Sequence, residues 1–330
     1  MSEFLHIGIV GAGKFSHHHV SAIRQIENCK LVAACRRNES ELRDYCDKYD
    51  IRGYVNYHDL LNDKTIDAVV IATPHHQHTQ VAIDAARAGK HILLEKPFAP
   101  TLDECRHINT TAKEAGIVLM IGHITQFSRA FQSTQAILNR GEIGPLVQAV
   151  GFSNTLWMGP DRKAWHLKKE LGGGYLLTLA VHQIDAMLTL IDSPVHSVRC
   201  IQGSRFHPHE TDDYGTLLIN FTNGVVATII YTGYTQGVVK VESEFYCQKG
   251  MIKMNIREGA FIAQENQWNL IPNSKSEAWF NEAMINEWRE FTGAIFKGRS
   301  PKADGDRAIR SMEVIDAAIR SSMENREICL

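Results

Sequence analysis

Short apolar runs alternate with segments of helical periodicity over the first 124 residues. Nearly continuous apolar runs of this length are typical of strands buried on both faces of a parallel sheet. Five runs fit that description: FLHIGIVGAGKF, CKLVAACRR, IDAVVIATP, KHILLEKP and IVLMIGH. Helical patterns follow the third and fourth runs, and Thr101 with Glu104 has the spacing of a capping box. The pattern predicts a doubly wound α/β domain over residues 1–124.

Stricter alternation of apolar and polar residues begins after residue 124. A helix is expected around residues 129–140, and TNG at 222–224 is a hairpin signal. Six runs read as strands: LVQAVGFS, VHSVRCIQG, YGTLLINF, GVVATIIYT, KVESEFYCQKG and MIKMNI. Two helical patterns, EAMINEWREFTGAIFKG and DGDRAIRSMEVIDAAIRSSMEN, follow them. Residues 125–330 are therefore predicted to form an α+β domain with a large, mainly antiparallel open sheet, and the sequence leaves open whether its C-terminal helices pack back on the first domain.

Composition narrows the possible partners and the compartment. The 330 residues carry a formal net charge of −2, which gives no electrostatic basis for binding nucleic acid or an anionic membrane. The seven cysteines are scattered without a CxxC pair, as in a reducing compartment. No apolar run is expected to reach the roughly 18–20 residues of a membrane helix, and the first strand begins too early for a signal peptide. The sequence therefore predicts a cytoplasmic protein.

The first strand ends in a glycine turn, IGIVGAGKFS. Gly11 allows a tight turn, and Gly13 lets the backbone approach a pyrophosphate, whose charge the next helix attracts with its free N–H groups. Lys14 and Phe15 complete the turn, and Ser16 stands where a third glycine or alanine is common. A turn of this kind at the end of a strand and the start of a helix predicts a dinucleotide site.

The second strand ends in arginines rather than in an acid. An NAD site usually places Asp or Glu there to bind the ribose 2′-hydroxyl, about 20 residues past the turn. Arg36 and Arg37 suit a 2′-phosphate instead, since a guanidinium forms planar, charge-assisted hydrogen bonds with it. The alternative is a pair of solvated surface arginines. We predict NADP(H) as the preferred cofactor, with NAD(H) possible.

A lone histidine lies in the apolar stretch GGGYLLTLAVHQID, residues 172–185. Thr178, His182 and Asp185 are spaced i, i+4 and i+7, so that an α-helix would project all three from one face. A histidine on an apolar helix is often a packed core residue. Three polar groups on one stripe favour a cavity instead, and histidine, with an unperturbed pKa of about 6.5, can exchange protons near neutral pH.

Together these motifs resemble the Gfo/Idh/MocA oxidoreductase family. The resemblance rests on the glycine turn, on IATPHHQHTQVAIDAARAGKH, on AGKHILLEKP at 88–97, on AILNRGEIGPL and on GGG…H..ID at 172–185. It implies an N-terminal Rossmann fold, a substrate-binding C-terminal domain, and assembly into homodimers or homotetramers through the C-terminal sheet. It also implies hydride exchange between nicotinamide C4 and a CHOH or C=O carbon of a sugar, sugar derivative or cyclitol.

The resemblance assigns roles to individual residues. Glu95, Lys96 and Pro97 match the EKP motif, in which the lysine lies beside the nicotinamide and the proline follows a cis peptide. Lys96 would bind the reacting oxygen, and His182 would take or return its proton. The other residues implied to line the cofactor are Thr73, His75, His78, Glu95 and Trp165. His19 matches a histidine that we interpret as structural.

Several positions depart from the family pattern. Thr178 occupies the usual aspartate position, His166 replaces an arginine after Trp165, and Gln126 stands where relatives often have arginine. Asp185 matches a position that often contacts substrate hydroxyls. The residues predicted to bind substrate are Thr178, Asp185, His123, Trp157, Lys163, His166 and Tyr234.

Two alternatives stay open at the level of sequence. Hydride transfer could serve a transient oxidation during elimination, as in a cofactor-retaining, glycosidase-like enzyme. The chain could also be a non-catalytic NADP(H)-binding regulator. Two histidine clusters, His17–His19 and His207 with His209, Asp212 and Asp213, suggest metal binding at first sight. Consecutive helical residues point about 100° apart and the second cluster has no recognised ligand pattern, so we predict no metal site.

Overall fold

A computed structural model describes residues 4–159 and 162–330, and the chain separates into two compact units. The first unit comprises the residues up to Ile124 together with Phe280–Ile309. The second comprises Thr125–Trp279 together with Arg310–Leu330. A segment near the C-terminus thus completes the unit that the N-terminal residues begin.

A parallel sheet of six strands forms the first unit in the described residues. The strands are β1 Leu5–Val10, β2 Cys29–Cys35, β3 Arg52–Tyr54, β4 Ala68–Ile71, β5 His91–Glu95 and β6 Leu119–Gly122, in the order β3-β2-β1-β4-β5-β6. The helices that accompany them are α1 Ser16–Ile23, α2 Glu39–Tyr49, α3 Tyr57–Asn62, α4 His78–Arg87 and α5 Leu102–Glu114. The strand order reverses between β1 and β4, which is where doubly wound sheets bind ligands. The predicted fold class is confirmed.

Helix α5 begins as its sequence predicts. The Thr101 hydroxyl accepts the backbone N–H of Glu104 at 3.3 Å, and the Glu104 carboxylate accepts that of Thr101 at 3.0 Å. This reciprocal pair satisfies two N–H groups that the helix itself leaves free. The end of β5 is therefore followed by a short connection to a well-capped helix.

Three elements of the first unit were not predicted. Helix α2 is rich in charge and buries only Leu42 and Tyr45, so its apolar periodicity is weak. Helix α3 spans six residues and β3 spans three at the sheet edge. Elements this short or this polar give little hydrophobic pattern to detect.

A nine-stranded mixed sheet forms the second unit in the part of the chain that the structure describes. Its strands are β7 Leu146–Leu156, β8 Val195–Gly203, β9 Tyr214–Phe221, β10 Val226–Tyr234, β11 Lys240–Cys247, β12 Gly250–Asn255, β13 Gly259–Gln264, β14 Gln267–Leu270 and β15 Ile328–Cys329. Among the described strand pairs of this second sheet, only β7 and β10 are parallel. The last three strands were not predicted from the sequence.

Helices contact one face of this sheet. They are α6 Arg129–Arg140 and α7 Val181–Ile191, and strand residues alternate between buried and more exposed positions along β9 and β10. On the opposite face Phe152 and Ile230 lie side by side at the centre of the sheet, partly exposed. Val147 and Leu218 on the same sheet are 53% and 39% exposed.

Two long helices, α8 Trp279–Lys297 and α9 Gly305–Glu324, precede the last strand, β15. All of α8 after Trp279 belongs to the first unit. One helical stretch, Lys169–Ile191, has the length and hydropathy of a membrane span, contrary to the expectation that none would. Its most apolar window is 83% buried, which is also the property of a core helix.

Candidate active site

The glycine turn after β1 has the geometry of a phosphate-binding turn. Gly11 has φ +98°, and a Cβ there would lie 2.6 Å from the carbonyl oxygen of Ala72, so glycine is required. A Cβ at Gly13 would meet no atom of the described residues within 4 Å, which leaves the backbone open to a ligand. The buried Ser16 hydroxyl donates to the Gly13 carbonyl at 2.6 Å and starts α1. Lys14 and Phe15 between them are exposed.

Three predicted residues lie at the carboxyl edge of the sheet, each just after the end of a strand. Gly11 follows β1, Thr73 follows β4 and Lys96 follows β5, and these strands are neighbours in the order β1-β4-β5. The Thr73 hydroxyl is buried and has no hydrogen-bond partner among the described residues. A buried, unsatisfied hydroxyl beside an open glycine turn fits a polar ligand such as a nicotinamide dinucleotide.

Arg36 lies at the end of β2, where such folds bind the ribose 2′-hydroxyl or 2′-phosphate of a dinucleotide. One guanidinium nitrogen donates to the Ala12 carbonyl at 2.8 Å, and another pairs with the Glu41 carboxylate. Arg37 is exposed. The turn therefore has positive charge next to it, but Glu41 already engages part of the Arg36 guanidinium.

His78 connects the loops that follow β4 and β5. Its Nδ1 lies 2.9 Å from the Pro97 carbonyl oxygen and its Nε2 lies 3.0 Å from that of Thr73. Complete burial lowers the pKa of His78, although both carbonyls oppose that shift. Its ring meets that of His75 edge-on at 5.8 Å, and the Lys96–Pro97 peptide is cis. His78 thus fixes the backbone on both sides of the predicted nicotinamide position.

Glu95 faces away from solvent into a buried polar cluster. Its carboxylate lies 3.0 Å from Nε2 of His19, whose Nδ1 accepts the Trp288 indole N–H at 3.1 Å. Glu287 is fully buried beside this cluster, and neither of its carboxyl oxygens has a hydrogen-bond partner among the described residues. Burial, and then the charge of Glu95, raise the pKa of Glu287 well above its ordinary value, which favours its neutral form.

In the second unit, each of the three glycines at 172–174 has a steric reason. Gly172 and Gly174 have φ values of +71° and +107°. A Cβ at Gly173 would lie 2.4 Å from the carbonyl oxygen of His166. The glycines therefore let the segment containing Trp165 and His166 lie against the start of the helix that carries His182.

Asp212 caps the start of that helix. Its carboxylate accepts the backbone N–H of Leu176 at 2.7 Å, and its carbonyl accepts that of Tyr175 at 3.0 Å. Burial raises the pKa of Asp212 to about 6, against the opposing effect of the Leu176 hydrogen bond. Sequence reasoning considered Asp212 only as part of a metal cluster and missed this role.

The helix that follows is not a regular α-helix throughout. Leu176–Ala180 forms a π-helical turn, and α7 begins at Val181, so the prediction of a continuous α-helix was wrong for the turn that holds Thr178. Such turns widen the helix and recur at functional sites. Thr178 and Asp185 are buried, whereas His182 is partly exposed. Of this stripe, His182 has the most access to a small molecule.

Asp185 has a partner that the sequence did not reveal. The side-chain amide of Gln126 donates to both of its carboxylate oxygens, at 3.1 and 2.9 Å. The pairing explains how a carboxylate with 3% exposure is tolerated in a largely apolar helix. Gln126, which looked like a mere departure from the family pattern, therefore holds Asp185.

Most of the predicted pocket residues of the second unit lie together. Trp165 stacks on His166 with ring centroids 3.7 Å apart, and Trp157 meets His166 edge-on at 6.0 Å. The Lys163 carbonyl lies 2.9 Å from Nδ1 of His166, and the Tyr234 carbonyl accepts the backbone N–H of Trp157. Trp157 is buried and its indole N–H has no partner among the described residues. His123 is buried directly after β6, in the first unit.

Neither histidine cluster changes this picture. His17 and His19 are bonded to Tyr49 and Glu95 respectively, and His18 is exposed. Ligand atoms of His207, His209 and Asp213 lie within 4.8 Å of one another. Asp213 closes a loop, since its carboxylate accepts the backbone N–H groups of Arg205, Phe206 and His207. The absence of a metal there stays a prediction.

Comparison with known proteins places both units. Residues 5–123 match the model of the oxidoreductase family with an NAD-binding Rossmann fold, and residues 131–253 match the GFO/IDH/MocA C-terminal domain. A 1-carboxy-3-chloro-3,4-dihydroxycyclohexa-1,5-diene dehydrogenase of Comamonas testosteroni is 31% identical over 70% of this chain, which spans 58% of that protein's length.

Two further proteins match over nearly the full length. A 2,7-anhydro-N-acetylneuraminate hydratase of Escherichia coli strain K12 is 23% identical over 98% of this chain and 96% of its own. A levoglucosan dehydrogenase, solved in complex with NADH and levoglucosan, superposes with a TM-score of 0.91 at 22% identity over 98% of this chain and 99% of its own. Together with the family models, these similarities establish that the chain is an oxidoreductase of the Gfo/Idh/MocA family.

Proposed function

We propose that this chain is an NAD(P)-dependent dehydrogenase or reductase whose substrate is a sugar, a sugar derivative or a cyclitol. One observation supports the proposal most. An open glycine turn, an unsatisfied Thr73 hydroxyl and Lys96 all lie at the carboxyl edge of one parallel sheet. A bound nicotinamide dinucleotide would accept or supply the hydride at C4, from or to a CHOH or C=O carbon.

Lys96 and His182 carry the proposed chemistry on the protein side. Lys96 donates a hydrogen bond to the reacting oxygen and stabilises alkoxide charge as it develops. His182 takes the hydroxyl proton during oxidation and returns it during reduction. Family resemblance supports both roles, together with the position of Lys96 after β5 and the partial exposure of His182 next to a π-helical turn.

Substrate selection is proposed for the second unit. The candidates are Thr178, Asp185, Trp157, Lys163, His166 and Tyr234, with His123 from the first unit. Thr178 has no charge with which to stabilise an imidazolium, so its hydroxyl is proposed to bind a substrate hydroxyl instead. The second unit is also proposed to assemble the chain into homodimers or homotetramers in the cytoplasm.

Turnover with a substrate panel tests the main proposal. Reduced-cofactor absorbance would be followed with sugars, keto-sugars and cyclitols, using wild type, Lys96→Met and His182→Ala. Each substitution should lower kcat roughly 100-fold or more, because transition-state stabilisation or proton transfer is lost. Lys249→Met and His196→Ala, which alter exposed residues, are the matched controls. Near-wild-type turnover in both active-site variants, with the fold intact, would exclude these roles.

NADP(H) is the cofactor that we propose the protein prefers. Support comes from Arg36 and Arg37 at the end of β2, although Glu41 competes for Arg36. Fluorescence titration should give a lower Kd for NADPH than for NADH, a reversed preference in Arg36→Asp, and a stronger NADPH preference in Glu41→Gln. Tighter binding of NADH than of NADPH by the wild type would refute this part of the proposal.

A cofactor-retaining reaction is the second candidate. It is favoured by Thr178 at the usual aspartate position and by similarity over almost the whole chain to a protein named as a hydratase. In that case the cofactor would be oxidised and reduced within one turnover, and substrate would change without net change in reduced-cofactor absorbance. Product analysis by mass spectrometry, run alongside the absorbance assay, separates the two candidates.

A further inference from the structure

The Glu95 side chain of the EKP motif lies in a buried cluster that takes no direct part in the proposed chemistry. The cluster consists of Glu95, His19, Trp288 and Gly122, which we call the Glu95 clamp, and all four belong to the first unit. We propose that His19 and Trp288 are positioning residues that hold the Glu95 side chain and thereby set the direction of Lys96. The inference rests on the proposed function in that it takes Lys96 to be the residue that binds the reacting oxygen.

The hydrogen bonds of the clamp permit one arrangement of protons. An indole nitrogen can only donate, so Nδ1 of His19 must be the acceptor of the Trp288 N–H at 3.1 Å. A neutral His19 then carries its proton on Nε2 and donates it to the Glu95 carboxylate at 3.0 Å. Trp288 therefore fixes the tautomer of His19, and His19 fixes the rotamer of Glu95.

Fixing Glu95 also fixes its neighbour in the chain. Successive side chains of a strand point to opposite faces, so a Glu95 held toward His19 directs Lys96 away from it as the chain leaves β5. Glycine at position 122 leaves space for the Glu95 carboxylate. Gly122 pairs with Glu95 across β5 and β6, and a Cβ there would lie 3.1 Å from a Glu95 carboxyl oxygen.

The clamp also joins Lys96 to the phosphate turn. His19 lies on α1, which begins at Ser16 immediately after the glycines. One hydrogen bond thus connects the helix that would face the phosphates with the residue next to Lys96. The separation between the phosphate turn and Lys96 is then set by buried elements. Hydride transfer requires such a fixed separation, because the cofactor and the lysine must both be held close to the reacting carbon and oxygen.

Glu287 is a second buried acid beside the clamp. It is fully buried on α8, next to Trp288, and Glu95 is the charged group that acts on it most after burial itself. Burial and the charge of Glu95 raise the pKa of Glu287 and so favour its neutral form. The residue that donates a hydrogen bond to Glu95 in the clamp is therefore His19 on α1, not the acid on α8.

Chemical labelling of Lys96 tests the clamp without any substrate. Trypsin does not cleave a Lys–Pro bond, so the peptide His91–Arg106 reports acetylation of Lys96 by mass spectrometry. In the full-length protein with bound NADPH, His19→Leu should release Glu95 to pair with Lys96 and slow its labelling. We expect roughly a threefold change, which half a pKa unit produces in the free-amine fraction. Trp288→Phe should have the same effect in weaker form.

Rescue distinguishes positioning from a general loss of packing. His19→Gln retains a donor toward Glu95 and an acceptor for Trp288, so its labelling rate should return toward that of the wild type. His18→Leu alters an exposed neighbour on α1 and is the matched control. With a substrate identified, His19→Leu should lower kcat about tenfold or more while the Kd for NADPH stays within about twofold.

Different results would contradict the proposed function and the Glu95 clamp. Full turnover in Lys96→Met would end the proposed function, whatever the labelling shows. Inactive Lys96→Met combined with wild-type labelling and wild-type kcat in both His19→Leu and Trp288→Phe would overturn the clamp.

Discussion

Asp212 is a residue whose ionisation the fold alters. Its pKa rises to about 6 from 3.8 because the carboxyl loses contact with water at the start of the His182 helix. A folded-state pKa above the unfolded one means that the native protein binds more protons between these values. The contribution of Asp212 to the free energy of unfolding is therefore fully present below about pH 4, and it is lost as the pH rises through about 6.

Replacing Asp212 by asparagine should remove this decline. The amide oxygen can still accept the Leu176 N–H, and no charge has to be buried. We expect Asp212→Asn to be more stable than wild type at pH 7–8, by up to about 3 kcal/mol, and to match it near pH 4. Denaturant melts across pH 4–8 measure the difference, and Asp44→Asn at an exposed position is the control. Parallel stability curves for Asp212→Asn and wild type would contradict the raised pKa.

Which residues the sequence could reveal depended on whether their partners were near in the chain or belonged to a motif. Gly11, Gly13 and Lys96 were found because the turn and the EKP motif are local. The contact between His19 and Trp288 spans 269 positions, and that between Gln126 and Asp185 spans 59. No local pattern marks such pairs, so the clamp and the partner of Asp185 became visible only in the structure.

At the scale of elements, the segment from Trp165 to α7 includes a close backbone contact in addition to its side-chain packing. Gly173 lies so close to the His166 carbonyl that any side chain must displace one of the two segments. The structure thereby explains why three glycines precede a buried helix, which the hydrophobic pattern alone could not.

Gly173→Ala isolates that contact. Its φ is not in the left-handed region, so the cost is steric, and we expect a loss of about 1–3 kcal/mol with a raised KM for substrate. Gly116→Ala is the control for backbone strain alone, because Gly116 has φ +65° and a Cβ at that position would meet no described atom within 4 Å. A Gly173→Ala protein with wild-type stability and wild-type KM would show that the close approach does not matter.

Element prediction succeeded where hydrophobic periodicity was strong and local caps were present. The strands β1, β4 and β5 are almost entirely buried, and α5 has its capping box. Strands β14 and β15 were missed because β14 is exposed throughout and β15 has two residues. The π-helical turn was missed because one extra residue in a turn leaves no mark on an apolar run.

At the scale of the whole molecule, we expect self-association through the face of the large sheet that is opposite the helices α6 and α7. Phe152 and Ile230 are neighbours at its centre, and Lys240 lies over the Phe152 ring at 3.6 Å. Apolar residues gathered on one partly exposed face favour a protein partner, and a second copy of the chain is the simplest one.

Ile230→Lys should weaken that association. Light scattering after size exclusion is expected to give a dimer or tetramer for the wild type and a smaller species for Ile230→Lys, since a buried, unpaired ammonium opposes the interface. Met323→Lys, on the 74% exposed Met323 of α9, is the control. A monomeric wild type, or an unchanged mass for Ile230→Lys, would argue against this face.

The return of residues 280–309 to the first unit has a consequence for synthesis on the ribosome. When the first 124 residues have emerged, the nascent chain contains the complete parallel sheet but neither Trp288 nor the rest of α8. The first unit remains incomplete, with part of its interior uncovered, until the ribosome has made strands β7 to β14 of the second sheet and then the segment 280–309. A fragment ending at residue 124 would therefore be a poor scaffold for protein engineering, whereas one joined to the segment 280–309 by a linker would contain every element of the unit.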